Sequence, residues 1–166
     1  MKYLQSMVIE RVEPKHASPL IFMIKELAEF EKMSNQVELS EDQLADDIRR
    51  GAIHGFIAFD NCTPLGMTLF YMAYSTWQGQ FIHMEDLYVR PEYRQQGIGQ
   101  RLWVQVAKLA HDSGMKRLQW NVLEWNENAI RFYNKVKAMN LTKEEGWLSY
   151  RLDGDGIEQL VKLGEH

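Results

Sequence analysis

A glycine-containing loop, Arg94-Gln95-Gln96-Gly97-Ile98-Gly99, restricts the possible folds of this chain more than any other feature of the sequence. The preceding run, residues 80–89, has the composition of a β-strand, and Ile98, Leu102 and Val106 then recur along one face of a predicted helix. The first N–H groups of a helix have no intrahelical acceptor and lie at its positive end. Because glycines let an anion approach the backbone closely, the loop predicts a binding site for a phosphate group.

Two familiar phosphate-binding motifs are excluded by the spacing. A Walker-type loop requires Gly-Lys-Ser/Thr, but Gln100 and Arg101 follow Gly99. A dinucleotide fingerprint requires a third Gly or Ala three residues after the second glycine, where Leu102 stands. The loop therefore belongs to another class of anion site.

Strand and helix signals alternate along the whole chain without a repeat or a linker. Strands are predicted at 7–12, 53–59, 65–74, 80–89, 117–123 and 146–152, and helices at about 20–31, 41–50, 98–113, 126–137 and 157–163. Ser40-Glu41-Asp42-Gln43 predicts a capped start for the second helix. The order predicts one α/β domain, residues 1–166, with a mixed sheet covered by helices on its faces.

Charge and cysteine content indicate the environment and partners. Nineteen Lys and Arg against 23 Asp and Glu give a net charge of −4, which disfavours nucleic acid and favours cationic partners. No long apolar run suggests a membrane span, and Met1 to Val8 lacks the apolar core of a secretory signal. With Cys62 as the lone cysteine, we expect a cytoplasmic protein without a disulfide. None of the five histidines has metal-ligand spacing, so no metal is expected.

Two carboxylates stand at positions that solvent exposure alone does not explain. Glu31 ends the apolar helical stripe formed with residues 20, 24 and 27, so it should face a cleft or pair with a lysine. Glu85 interrupts an apolar strand beside Asp86, where burial next to a second carboxylate raises a pKa toward that of a general base. A salt-bridged or solvent-facing Glu85 is the alternative. Tyr133, by periodicity alone, is a core aromatic residue.

The run from Glu85 to Gly99 resembles the acetyl-CoA signature of the Gcn5-related N-acetyltransferase (GNAT) family. Four further runs resemble its spermidine/spermine acetyltransferase subfamily, and its thialysine acetyltransferase branch in particular. They are Glu26-Leu27-Ala28-Glu29-Phe30-Glu31-Lys32, Tyr74-Ser75-Thr76-Trp77, Glu124-Trp125-Asn126 and Glu144-Glu145-Gly146-Trp147.

The resemblance implies a GNAT fold, a single layer of mixed, mostly antiparallel sheet, and direct acetyl transfer from acetyl-CoA to an amine. It implies Tyr133 as the acid that protonates the departing thiolate, Glu85 as the residue that deprotonates the amine directly or through water, and a homodimer. The substrate side would comprise Phe30, Glu31, Glu85, Asp86 and Glu145. The cofactor side would comprise Leu87, Tyr88, Val89, Arg94, Gln95, Gln96, Gly97, Ile98, Gly99, Gln100, Asn126 and Tyr133.

Departures from the family pattern bear on the substrate and on the backbone. Ser75 replaces an acidic residue of polyamine acetyltransferases, which favours thialysine, a related amino acid or a diamine over spermidine. Gln95 and Lys137 stand where glycine is usual, and Asn134 replaces a basic residue. Acetylation of a protein lysine or N-terminus, and a regulatory module that binds acetyl-CoA without turnover, are the alternatives to a small-amine acetyltransferase.

Overall fold

A computed structural model describes residues 6–164 of the 166-residue chain. The described residues fall into two compact units that divide between Asn121 and Val122.

The first unit is built on a five-stranded sheet in the order β1-β2-β3-β4-β5. Neighbouring strands from β1 to β4 are antiparallel, whereas β5 pairs with β4 in parallel. This confirms the mixed, mostly antiparallel sheet and the predicted hairpin of the second and third strands. The strands are β1 Met7–Arg11, β2 His54–Asp60, β3 Thr63–Ser75, β4 Gly79–Val89 and β5 Leu118–Trp120.

Helices cover both faces of this sheet. Helices α1 (Ala17–Phe30) and α2 (Glu41–Arg49) enclose a core with Met67, Leu69 and Tyr88 of the sheet. Helix α3 (Ile98–Asp112) contacts β2, β3 and β4. A side chain added at Gly99 would lie 3.5 Å from Val89, the strand neighbour of Tyr88, so α3 covers the opposite face.

The start of α2 confirms the predicted cap. The Ser40 hydroxyl accepts a hydrogen bond from the backbone N–H of Gln43 at 3.1 Å, which satisfies one of the free donors of the first turn. Two acidic residues, Glu41 and Asp42, occupy that turn and complement its positive end.

The second unit contains short helices: α4 Glu127–Tyr133, α5 Leu141–Glu145 and α6 Gly154–Lys162. Helix α4 ends earlier than predicted, since residues Asn134–Val136 form a 3-10 turn and Lys137 takes a left-handed conformation with φ of 58°.

The predicted strand at 146–152 is wrong. Gly146, at φ of 76°, ends α5, and the residues that follow have no regular secondary structure. Their apolar side chains, Trp147, Leu148, Tyr150 and Leu152, are all exposed. An alternating pattern forms a strand only where a neighbouring strand supplies hydrogen bonds and a surface to cover.

None of the helices among residues 6–164 combines the length and the apolar character that crossing a membrane requires.

Candidate active site

The loop before α3 leads into a helix whose first backbone N–H groups have no acceptor within the helix. A 3-10 turn, Pro91–Tyr93, leads from β4 into the loop, and Gly97 caps α3 in a left-handed conformation with φ of 76°. No side chain caps this helix, so the first amides, those of Ile98, Gly99 and Gln100, have no intrahelical acceptor. A side chain built at Gly97 would meet nothing within 4 Å. The loop is open to a ligand, and its free donors and helix dipole suit an anion.

Strand β4 continues past its partner β5. The parallel pairing covers only Ile82, His83 and Met84, so β4 runs on through Val89 without β5 beside it. A strand edge with unpaired N–H and C=O groups can take up an extended ligand as an added strand. The predicted cofactor residues Leu87, Tyr88 and Val89 lie on this segment.

A β-bulge at Glu85 interrupts the ladder between β3 and β4. Asp86 is paired with Leu69 and Met84 with Phe70, so Glu85 has no residue opposite it on β3. The ring of His83 stacks on Tyr71 at 5.0 Å, which places His83 on the same face as Leu69, and Glu85 follows on that face two residues later.

The bulge therefore turns two consecutive carboxylates to one face. Asp86 shares the face of its partner Leu69, which packs in the core beneath α1. Without the extra residue, Glu85 and Asp86 would point to opposite sides of the sheet. Glu31, the residue that caps the C-terminus of α1, is electrostatically coupled to both.

Burial and mutual repulsion raise the pKa of two members of the acidic cluster, which we define as Glu31, Glu85 and Asp86. Burial, with the charges of Glu85 and Glu31, raises the pKa of Asp86 to about 7. Burial and the Glu85 charge also raise the pKa of Glu31. The Glu85 side chain is 58% exposed, and its Oε2 lies 4.0 Å from Nε2 of His83. The cluster can attract a cation and take up a proton near neutral pH.

Arg94 connects the loop to the other elements of the site. Its Nε donates a hydrogen bond to the backbone oxygen of Val89 at 2.9 Å. Its guanidinium carbon lies 5.4 Å from the centroid of the Phe30 ring and 5.7 Å from that of Tyr88. Arg94 thus joins the loop to β4 and to the last residue of α1, immediately before Glu31.

Burial raises the pKa of the Tyr88 phenol, as does the charge of Glu26, whereas Arg94 opposes both effects. Tyr88 therefore stays a neutral side chain beneath the loop at physiological pH.

Three of the predicted site residues lie in the second unit. Asn126 caps α4, because its side-chain oxygen accepts a hydrogen bond from the N–H of Ala129 at 3.2 Å. Tyr133 ends the same helix and is partly buried. Glu145 ends α5 and accepts a hydrogen bond from the indole N–H of Trp147 at 2.8 Å.

Two residues of the site face, Tyr71 and His83, were not predicted from the sequence. Burial and the charge of Glu85 raise the pKa of the Tyr71 phenol. Residues 83 and 85 are two apart on β4 and so share a face, which is the signal from which the position of His83 beside Glu85 could have been predicted. The partner across the sheet follows only from the register of β3.

Comparison with known proteins shows the family to which the chain belongs. The sequence pattern of the acetyltransferase (GNAT) family matches residues 21–137. The chain is 52% identical over 158 residues to a thialysine N-epsilon-acetyltransferase of Caenorhabditis elegans, covering 95% of this chain and 99% of the relative.

Solved structures share the fold. An integron cassette protein from the mobile metagenome of V. cholerae superposes with a TM-score of 0.76 at 24% identity, over 95% of this chain and 99% of the other. An aminoglycoside N-acetyltransferase, AAC(6')-Iy, solved in complex with CoA, has a TM-score of 0.70 at 16% identity, over 92% of this chain and 98% of the other.

The fold and the loop thus define a protein of the acyl-transferring class. The chain belongs to the acetyltransferase (GNAT) family, and it is an N-acetyltransferase of that family.

Proposed function

We propose that this protein transfers the acetyl group of acetyl-CoA directly to the primary amine of a small cationic substrate such as thialysine, a related amino acid or a diamine. The observation that carries the proposal is the acidic cluster, of which Glu85 and Asp86 lie on β4, the strand that leads into the loop before α3. The 52% identity to a thialysine N-epsilon-acetyltransferase supports the class of acceptor.

The residues of the loop fit a coenzyme A pyrophosphate. Open space surrounds Gly97, no side chain caps α3, and the free amides of the first turn supply the donors that an anion requires. In our proposal the backbone of residues 95–100 holds the pyrophosphate, with Arg94 positioning the loop. The backbone of Leu87, Tyr88 and Val89 pairs with the pantetheine arm, and the family resemblance assigns Asn126 to the coenzyme. Acetyl-CoA supplies the activated thioester.

The acidic cluster binds and prepares the amine in this mechanism. An alkylammonium has a pKa of about 10.4, so a group of the site must remove a proton before nitrogen can attack. Glu85 is the candidate that the sequence offers for this step. Phe30 and Glu145 are proposed to complete the substrate side, and Tyr133 is proposed to protonate the departing thiolate. A phenol is a suitable acid because it stays protonated at neutral pH.

The first test is a thiol-release assay with acetyl-CoA and a panel of acceptors: thialysine, lysine, ornithine, putrescine, spermidine and a lysine-containing peptide. We expect turnover with the small amines and preference for thialysine. A preference for the peptide would contradict the proposed substrate class, and binding of acetyl-CoA without thiol release from any amine would contradict catalysis.

Tyr133→Phe tests the proposed acid. We expect kcat to fall by about 10²-fold or more while the affinity for acetyl-CoA is unchanged, since the ring and its packing remain. Tyr150→Phe removes the hydroxyl of an exposed tyrosine in the same unit and serves as the matched control. Full kcat in Tyr133→Phe would exclude the role.

We propose further that the chain is a single cytoplasmic acetyltransferase domain that acts as a homodimer. The support for the dimer is an apolar stripe on α6, where Ile157, Leu160 and Val161 share one face at helical spacing and are each more than half exposed. A second copy of the chain is the occupant that we propose for this stripe. Sedimentation should give twice 19.5 kDa for the wild type, and Leu160→Glu should lower this mass while Glu158→Gln does not.

A further inference from the structure

Asp86 occupies a different environment from its neighbour in the acidic cluster. Its place in the ladder opposite Leu69 puts it at the edge of the core beneath α1. Glu85, the extra residue of the bulge, has a side chain that is 58% exposed and lies beside His83. Two adjacent carboxylates thus face the same side of the sheet, one of them partly buried and the other largely in solvent.

Asp86 and Glu31 have no ion-pair partner among the residues that the structure describes. Within residues 6–164, no lysine, arginine or histidine forms an ion pair with Asp86 or Glu31. A partly buried carboxylate without a partner is unfavourable, so such a site either takes up a proton or binds a cation from outside. The acceptor amine proposed above supplies both, because its ammonium group is a cation that must lose a proton.

We propose that Asp86, and not Glu85, accepts the proton that the acceptor ammonium loses before acetyl transfer. This inference rests on the proposed function. The proton moves from the ammonium nitrogen to a carboxylate oxygen of Asp86, which frees the nitrogen lone pair. The N–C bond then forms as the C–S bond breaks, and the thiolate takes a proton from the proposed acid Tyr133. The nitrogen loses its second proton, which returns Tyr133 to its neutral form through solvent, and Asp86 releases its own proton to solvent.

The neighbouring carboxylates raise the pKa of Asp86, the proposed proton acceptor. Burial and the charges of Glu85 and Glu31 bring the pKa of Asp86 to about 7, where a general base is half in its active form at neutral pH. Glu85 therefore acts through Asp86, as a positioning and electrostatic residue. The titratable groups on this face around Asp86 are Glu31 from α1, Tyr71 from β3, and His83, Glu85 and Tyr88 from β4.

The pH dependence of kcat/KM distinguishes Asp86 from its neighbours. With thialysine as acceptor, the wild type should lose activity toward acid with a midpoint of about 7. Asp86→Asn, which keeps the shape of the side chain, should lower kcat by roughly 10²- to 10⁴-fold and remove this acid limb. Glu85→Gln should keep the limb and move it to lower pH, because one charge that raises the pKa of Asp86 is gone.

Two control variants complete the series. Asp42→Asn removes an exposed carboxylate from the first turn of α2 and should behave as the wild type. His83→Gln removes the imidazole beside Glu85 and should retain the acid limb. An acid limb that persists in Asp86→Asn, or that disappears in Glu85→Gln or His83→Gln, overturns the proposal.

A titration that needs no turnover tests the same residue. In the full-length wild type labelled with ¹³C at the aspartate carboxyl carbons, one resonance should titrate with a midpoint of about 7 and be missing from Asp86→Asn. A midpoint near the ordinary value of about 3.9 overturns the role of Asp86 whether or not the enzyme is active. If that resonance titrates near 7 but no amine releases thiol, the proposed function fails instead.

Discussion

The guanidinium carbon of Arg94 lies 5.4 Å from the centroid of the Phe30 ring, and this contact joins the loop before α3 to the last residue of α1. The same guanidinium faces Tyr88 at 5.7 Å, and its Nε is hydrogen-bonded to the Val89 carbonyl. The Arg94 side chain therefore connects the proposed cofactor loop to Phe30, which immediately precedes Glu31, the first carboxylate of the acidic cluster.

Arg94→Ala removes these three contacts together. We expect the free energy of unfolding to fall by about 1.5 to 3 kcal/mol, since each of the two exposed cation–π contacts contributes about 0.5 to 1 kcal/mol and the hydrogen bond to the Val89 carbonyl about as much. Urea denaturation monitored by circular dichroism measures the change. Arg101→Ala, on the exposed side of α3, is the control and should change it by less than about 0.5 kcal/mol. Equal losses in the two variants would contradict the contribution of the Arg94 contacts.

Gln95 and Lys137 hold conformations that glycine adopts more readily. Their φ angles are 61° and 58°, in the left-handed region that a Cβ atom disfavours by about 1 to 2 kcal/mol. Gln95→Gly and Lys137→Gly should each stabilise the protein by about 0.5 to 1 kcal/mol after the added freedom of the unfolded chain is subtracted. Gln96→Gly, at a neighbouring position without a positive φ, should instead destabilise it. Thermal denaturation of the three variants decides the sign.

Thr68 carries a buried hydroxyl on the central strand β3. The residue is fully buried, and its Oγ1 has no hydrogen-bond partner in the part of the chain that the structure describes. Thr68→Val replaces the hydroxyl with a methyl group of similar size and should raise the free energy of unfolding by about 1 kcal/mol, because an unsatisfied polar group is removed. Thr68→Ser keeps the hydroxyl and loses a methyl group, so it should destabilise the fold by about 1 kcal/mol. A loss of stability in Thr68→Val would show that the hydroxyl is satisfied.

The strands and helices of the first unit follow from local pattern, whereas the geometry of the site does not. Residues 80–89 and 98–113 carry their own period, so β4 and α3 are predicted within a residue of their ends. The same period of two places Glu85 and Asp86 on opposite faces. Only the register of β3 against β4 creates the bulge that brings them together.

Pairing between distant segments also explains the incorrect strand at 146–152. Trp147, Leu148 and Tyr150 have strand propensity, but a strand forms only against a partner, and this chain pairs none with them in residues 6–164. By contrast, the resemblance to the family indicated the left-handed positions Gln95 and Lys137, because glycine is usual at both in family members.

The raised pKa of Asp86 makes stability depend on pH in a direction opposite to that of most carboxylates. In the unfolded chain an aspartate has a pKa of about 3.9, whereas in the folded protein burial and the charges of Glu85 and Glu31 raise that of Asp86 to about 7. Between these values the folded state binds the proton more tightly than the unfolded state does. The contribution of Asp86 to stability is therefore present at low pH and is lost as the pH rises through 7.

Comparison of wild type with Asp86→Asn isolates this contribution, since all other titrating groups are common to both proteins. The free energy of unfolding of the wild type should decline relative to that of Asp86→Asn between about pH 4 and pH 7, with a slope of at most about 1.4 kcal/mol per pH unit. Asp42→Asn, measured alongside, should follow the wild type at every pH. Parallel curves for wild type and Asp86→Asn would show that the carboxylate has an ordinary pKa in the folded protein. If the free energy of unfolding of the wild type falls below that of Asp86→Asn as the pH rises, the folded protein loses stability by keeping Asp86 as a proton acceptor with a pKa near neutral pH.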